Sequence, residues 1–310
     1  MALPVIGAGD LSAAEVAFNA RFMSAYKSVT PLWNRIASLM PSNNRTQNYP
    51  IHGKLAKLRK WEGERITHSA KAYSYSLTNE KYELTLRVPL EDFEDDQLGI
   101  HAATIDDMGQ QSALWPDDLV FAALLAGATD TTYDGKAFFA NDHALKSGRT
   151  IDNLFASTAL THDNYSAVRT AMMEYAGEDG ESLRVMPNLL VVPPALEKTG
   201  LEILTSRTVS KVFGSNTAAT AIDNIYAGSA TLLVAPQLAT SAGGSDSTWY
   251  MMDVSRAVKP LIFQQRSAPL FQQLTRDSDH AFLEDEVLYG VRARGTSGYG
   301  PFWLAAKCTA

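Results

Sequence analysis

Residues 51–81 constrain this chain more than any other stretch, because they alternate like paired strands and hold almost nothing that could form a core. Lys54, Lys57, Arg59 and Lys60 lead into Trp61-Glu62-Gly63-Glu64-Arg65, after which Tyr73, Tyr75 and Leu77 alternate with small or polar residues. Alternation marks a strand, and a charged, glycine-centred tip marks a turn. The segment therefore reads as a long, exposed β-hairpin. A two-stranded hairpin alone is marginal in water, so this one is expected to lie on another surface. Trp and Arg are enriched where proteins bury surface against one another. Trp61, Gly63, Glu64 and Arg65 are thus candidates for a contact between subunits. The competing readings are a ligand clamp, or an exposed turn whose glycine relieves an unusual backbone angle.

The flanking segments read as follows. Residues 1–50 form an arm with one helix, capped by Asp10 or Ser12, with Val16, Phe18, Phe22, Met23 and Tyr26 as its apolar stripe. Such an arm is too thin to hold a core alone. Tyr82 to Val88 alternates as a strand and stops at Pro89. A helical region then runs to about Ala126, with Ile105, Met108, Ser112, Trp115, Leu119 and Ala122 on one face. Pro116 must kink that helix or begin a second one, because it has no amide to donate. Residues 128–160 are rich in turns. Thr161 caps a helix bearing Tyr165, Val168, Met172 and Tyr175. A strand at 188–192 is followed by a helix from Pro194 to about Ser206, a polar loop at 207–228, and strands near 230–235 and 248–254. Extended segments run from Leu261 to Gln265, Glu286 to Arg294 and Phe302 to Lys307. Gly295, Gly298 and Gly300 separate the last two. Runs of unlike elements in this order indicate α+β.

Composition narrows the class. Of the 310 residues 45% are hydrophobic, which suits a packed globular protein. The net charge of -7 argues against gripping nucleic acid by its phosphates but leaves a container possible. The single cysteine, Cys308, excludes an intrachain disulfide and reads as a spare thiol on a mobile end. Neither a signal peptide nor an apolar run of about 18 residues is visible, so a soluble, unexported protein without membrane contact is expected.

Chemical motifs are weak. Gly7-Ala8-Gly9 follows no strand, and Ser12 stands where a dinucleotide fingerprint needs its third glycine. The acidic run Glu91, Asp92, Glu94, Asp95 and Asp96 sits at a helix start, where negative charge meets the dipole. The six histidines show no metal-ligand spacing. Asp142-His143 invites an acid/base reading, and a hydrolase using this pair is the rival hypothesis. No cofactor and no metal are expected.

Four stretches carry a family resemblance: Trp61 to Arg65, a Trp-x-Gly-x-Arg pattern; Glu91 to Gly99; Asp134-Gly135-Lys136-Ala137-Phe138-Phe139-Ala140-Asn141-Asp142-His143; and Leu189-Leu190-Val191-Val192-Pro193-Pro194. Their order, with the region Trp249 to Arg294, resembles the Hong Kong 97-type capsid fold of tailed phages. More narrowly, it is similar to the Mu-like phage major head subunit (gpT) family. The resemblance implies a subunit that self-assembles, through hexameric and pentameric capsomers, into an icosahedral shell around double-stranded DNA. It divides the chain into an N-terminal arm (1–50), an extended loop crossing a neighbour (51–82), a peripheral domain with a spine helix (83–150), an axial domain (151–260), and strands returning to the peripheral domain with a C-terminal tail (261–310). Separate scaffold and portal proteins, and decoration proteins, are the implied partners. DNA is enclosed without sequence-specific binding. The implied location is the virion, after synthesis in the host bacterial cytoplasm. Another phage part, a decoration or tail protein, is the nearer alternative.

Overall fold

The structure, a computed structural model, describes residues 8–52, 72–94, 98–145, 148–177, 180–212, 219–274 and 278–310. Its helices are α1 (Ala8–Ser28), α2 (Trp33–Ile36), α3 (Leu90–Glu94), α4 (Leu98–Ala126), α5 (His162–Met173), α6 (Glu197–Thr205) and α7 (Asp279–Glu284). Its strands are β1 (Ala37–Pro41), β2 (Thr46–His52), β3 (Ala72–Thr78), β4 (Glu80–Pro89), β5 (His143–Ala144), β6 (Thr150–Ile151), β7 (Leu154–Phe155), β8 (Leu189–Val192), β9 (Thr208–Val212), β10 (Ala219–Asp223), β11 (Thr231–Val234), β12 (Trp249–Met252), β13 (Leu261–Gln273), β14 (Glu286–Tyr299) and β15 (Ala305–Cys308).

Two sheets organise these elements. The first has the order β1-β13-β14-β4, with β14 antiparallel to both neighbours and β1 parallel to β13. The second has the order β11-β8-β12-β15-β7. Every residue of β8 and β12 is buried, as in a sheet covered on both faces. Helix α5 buries Tyr165, Val168 and Met172, and the Thr161 side chain accepts the Asn164 amide at its start. Helix α6 buries Ile203 and Leu204, with Gly200 seated against Leu232 of β11.

Helix α4 joins the two cores. Ile105 and Met108 pack with Phe18, Phe22, Val88, Val287 and Tyr289. Further along, Val120, Phe121 and Leu124 pack with β8, β12 and β15. The buried face therefore rotates along the helix, which leaves Ala122 exposed, against the sequence reading. Pro116 starts no second helix: α4 runs through it. Asp117, the next residue and 1% exposed, accepts the amides of Leu32 (3.0 Å) and Trp33 (2.6 Å) at the start of α2.

Too thin to hold a core alone, the N-terminal segment packs on its own chain: α1 lies along α4, with Phe18 and Phe22 buried, while Val16 and Met23, read as part of the apolar stripe, are exposed. Arg21 pairs with Asp106, and Gly109 meets the α1 backbone so closely that an added Cβ would stand 2.7 Å from the Phe22 carbonyl oxygen.

The two faces of the first sheet have different partners. Alternate residues of β14 turn toward α4: the Ser297 hydroxyl donates to the Leu119 carbonyl (2.6 Å) and the Tyr299 hydroxyl to that of Ala123 (2.8 Å). Gly298 turns the other way, where β3 passes at Leu77 and Tyr75.

Other expectations need correction. Residues 207–228 contain the antiparallel pair β9–β10, whose polar alternation resembles a loop. Strands β13 and β14 are longer than read, because Gly295 and Gly298 lie inside β14, where they admit Trp115 and Leu77 rather than break the strand. Cys308 is no mobile thiol: it is fully buried in β15, and burial pushes its pKa up.

Alanine is intrinsically better than glycine inside a helix by roughly 0.5–1 kcal/mol. Gly109→Ala is nevertheless expected to destabilise, by about 1–3 kcal/mol, because the new methyl forces α1 away from α4. Thermal unfolding of the variant checks the sign.

Candidate functional site

The rival catalytic pair does not exist as a pair. Asp142 faces outward and forms an ion pair with Lys136. His143 is fully buried, its ring stacked on Phe302 at 3.8 Å and 4°. Its Nδ1–H donates to Asp134 Oδ2 at 2.6 Å, and its Nε2 lies 3.3 Å from the Phe138 carbonyl oxygen. The other Asp134 oxygen accepts the Thr132 hydroxyl (2.6 Å) and the Lys136 amide (3.1 Å). Asn153, also fully buried, donates to the carbonyls of Phe138 (2.8 Å) and Phe302 (3.0 Å) and accepts the Ala140 amide (2.9 Å). This is a polar knot that satisfies the backbone of a turn-rich segment inside the core. His143 itself is 0% exposed. The signal in the sequence was Asp134-Gly135, a turn at which Gly135 has φ 77°, nine residues before the histidine.

The predicted hairpin is present at its root. Strands β2 and β3 pair antiparallel from Thr46↔Thr78 to His52↔Ala72, beginning earlier in the chain than read, and form their own two-stranded sheet. Trp61, Gly63, Glu64 and Arg65 lie outside the described residues. Buried amides fix the root. The Tyr49 hydroxyl donates to Gln264 Oε1 (2.7 Å), and Gln264 Nε2 donates to Asn79 Oδ1 (2.8 Å). Asn79 Nδ2 in turn donates to Ser42 Oγ (3.0 Å) and to the Asn44 carbonyl (2.8 Å). Gln264, Asn79 and Ser42 are 0%, 6% and 4% exposed. Burial pushes the Tyr49 pKa up to about 12. The sequence reading missed Gln264 and Asn79, since an isolated Gln or Asn carries no motif. At the far end of the first sheet, between β13 and β14, α7 exposes Phe282 (89%) and Leu283 (74%).

Among the described residues no group of three or more His, Cys, Asp or Glu could hold a metal ion. No described helix is long and apolar enough to cross a membrane.

The Asp134 knot gives a pH prediction. Burial alone would raise the Asp134 pKa, but the hydrogen bonds from His143, Thr132 and Lys136, with the His143 charge, hold it below the usual carboxylate value. A depressed carboxylate contributes stability that is complete above the unfolded value of about 3.9 and is lost as pH falls through the lower, folded value. Asp134→Asn is expected to cost about 2 kcal/mol near neutrality. The Tm difference from the parent should shrink as pH is lowered below about 4.

Comparison with known proteins follows this geometry. The profile of the Mu-like prophage major head subunit gpT family matches residues 11–158, 153–238 and 235–309. The major capsid protein of Escherichia phage Mu is 28% identical over 303 residues, covering 97% of this chain and 74% of that one. The Mu-like prophage FluMu major head subunit of Haemophilus influenzae is 25% identical over 292 residues, 94% of this chain and 70% of that one. A chain of the procapsid of bacteriophage JBD30 matches with a TM-score of 0.60 at 27% identity, over 98% of this chain and 76% of that one. The mature capsid of bacteriophage PhiM1 shares the fold, with a TM-score of 0.54 at 11% identity over 91% and 87% of the two chains. The fold is the Hong Kong 97 type. The chain belongs to the Mu-like prophage major head subunit gpT family and is the major capsid protein of a tailed phage, a structural protein rather than an enzyme.

Proposed function

We propose that this subunit builds the icosahedral shell of the virion from hexameric and pentameric capsomers, and that the hairpin rooted at β2–β3 crosses onto a neighbouring subunit. In this reading residues 1–50 are the arm, 51–82 the extended loop, 83–150 the peripheral domain with α4 as spine, 151–260 the axial domain, and 261–310 the returning strands and tail. The observation that carries it is the root itself. Among the described residues β2 and β3 pair with no strand of either large sheet, yet side-chain hydrogen bonds through buried Gln264 and Asn79 fix them to the first sheet. An isolated strand pair is marginal, so a hairpin rooted in this way gains from a second surface.

A shell needs no single strong contact. A subunit held by several neighbours dissociates rarely, because each remaining contact keeps the broken one at high effective concentration. The exposed pair Phe282 and Leu283 on α7 supplies a second contact in this scheme. Scaffold and portal proteins act as separate partners, decoration proteins bind the finished shell, and the enclosed DNA is not read by sequence. Synthesis takes place in the host cytoplasm.

Trp61→Ala and Arg65→Ala test the crossing. Truncating an anchoring Trp at an interface typically costs about 2 kcal/mol or more. Both variants are expected to keep the fold of the free subunit, read by circular dichroism, while lowering shell yield and the temperature at which shells fall apart. Shells of normal yield and heat resistance would show that these side chains do not hold the overlap.

A further inference from the structure

Beside the second sheet a short loop, 236–248, closes over a small pocket. The amides of Gly243, Gly244 and Ser245 donate in turn to the carbonyls of Thr240 (3.1 Å), Ala239 (3.0 Å) and Leu238 (2.9 Å). Asp246 accepts the Thr240 amide (3.1 Å), and the Thr240 hydroxyl accepts the Asp246 amide (3.2 Å). Gly244 lies so close to Leu238 that an added Cβ would stand 2.1 Å from its carbonyl oxygen. The loop is therefore held from within. Its inner side, with Leu125 at the end of α4, walls a pocket of about 160 Å³.

The pocket joins apolar walls to three polar side chains. Leu125 and Leu238 supply the walls, and Thr248, Tyr250 and Lys307 the polar groups. Tyr250 and Lys307 are paired across β12 and β15, so their side chains stand on one face of the sheet. Thr248 and Tyr250 are 7% and 1% exposed. Among the described residues neither hydroxyl, nor the Lys307 ammonium, has a hydrogen-bond or ion-pair partner. Burial lowers the Lys307 pKa and raises that of Tyr250, with no neighbouring charge or hydrogen bond acting on either. Asp246, the one acid of the loop, is exposed, and its carboxylate is engaged by the Thr240 amide. A desolvated ammonium without a counter-charge is costly, and buried hydroxyls ordinarily find partners.

We infer that this pocket binds a carboxylate, whose oxygens accept from Lys307, Tyr250 and Thr248 and whose short apolar chain lies against Leu125 and Leu238. Water alone would satisfy the hydroxyls but leave the lysine charge unopposed. A phosphate has more oxygens to satisfy, and the loop amides of Gly243, Gly244 and Ser245 are already bonded to carbonyls. Size narrows the ligand further. A cavity of about 150 Å³ holds a molecule the size of benzene, so a monocarboxylate of about four carbons fits. The carboxylate comes either from a free small acid or from an Asp or Glu side chain of a second copy of this chain. The site does not depend on where the hairpin crosses.

Saturation-transfer NMR of butyrate with the full-length protein, as assembled shells and as dissociated capsomers, tests the site. Butyrate is expected to receive saturation from the protein, whereas butanol, of the same chain length without the charge, is not. Lys307→Met keeps the apolar stem and should weaken butyrate binding by about tenfold or more, as loss of a charge-assisted hydrogen bond does. Tyr250→Phe should weaken it by a smaller factor. Both variants are expected to unfold no earlier than the parent, since each removes a polar group that has no partner in the fold. Butyrate that binds capsomers but not shells supports the site and assigns its occupant to a second copy, whereas binding to both assigns a free acid. Three results would overturn the inference: no saturation of butyrate in either form, undiminished binding by Lys307→Met, or displacement by inorganic phosphate at lower concentration than by propionate. The pocket would then hold only water or another anion. If Lys307→Met does not fold, undiminished binding by both Tyr250→Phe and Thr248→Val overturns it equally.

Discussion

A carboxylate in the middle of a helix holds this fold in register. Asp117 follows a proline inside α4, is almost wholly buried, and accepts the two amides that open α2. Burial raises its pKa, and the two amide bonds pull against that shift. A buried carboxylate with only backbone donors persists because moving either partner strands polar groups away from water. The bond fixes where the chain leaves α1 and enters β1. Strand β1 then pairs in parallel with β13 from Ala37↔Leu261. Since α4 also enters both cores, this contact sets the arm, the first sheet and the second sheet relative to one another.

The body of the subunit is built from two cores that share α4. The β2–β3 pair has its own root on the first sheet, held by Gln264, Asn79 and the space left by Gly298. In the proposed crossing, a root fixed in this way lowers the conformational entropy lost when the hairpin orders on a neighbour. Elsewhere the His143–Asp134 knot allows a turn-rich segment to pass through the core with its backbone groups paired.

Much of this was legible in the residues, and the failures have physical causes. Periodicity found α5 and most of α4, which bury a face in regular steps, and short apolar stretches marked β8, β11 and β12. It missed β9–β10, whose side chains alternate among polar and small types. Glycine was read as a breaker at 295 and 298, where tertiary approach of Trp115 and Leu77 is what requires it. Position near the chain end misread Cys308, since a terminal strand docked inside a sheet is as buried as any other. The strand at the hairpin's return, β3, was legible because its alternation is local, whereas β2 begins before the span that was read and the charged tip lies outside the described residues. The hairpin's fixing residues, Gln264 and Asn79, were not legible, because they are distant in sequence and meet only in the fold. Asp142 beside His143 illustrates the converse: adjacency in sequence suggested a pair, while the true partner lay nine residues away.

Assembly of this acidic subunit into closed shells, with its hairpin crossing onto a neighbour, is the central proposal. The mass and form of the purified protein under assembly conditions test it most directly, by light scattering with negative-stain electron microscopy. Megadalton closed shells, with capsomers as their precursors, are the predicted result. A monodisperse 33.8 kDa monomer under all assembly conditions, or open tubes in place of shells, would contradict it.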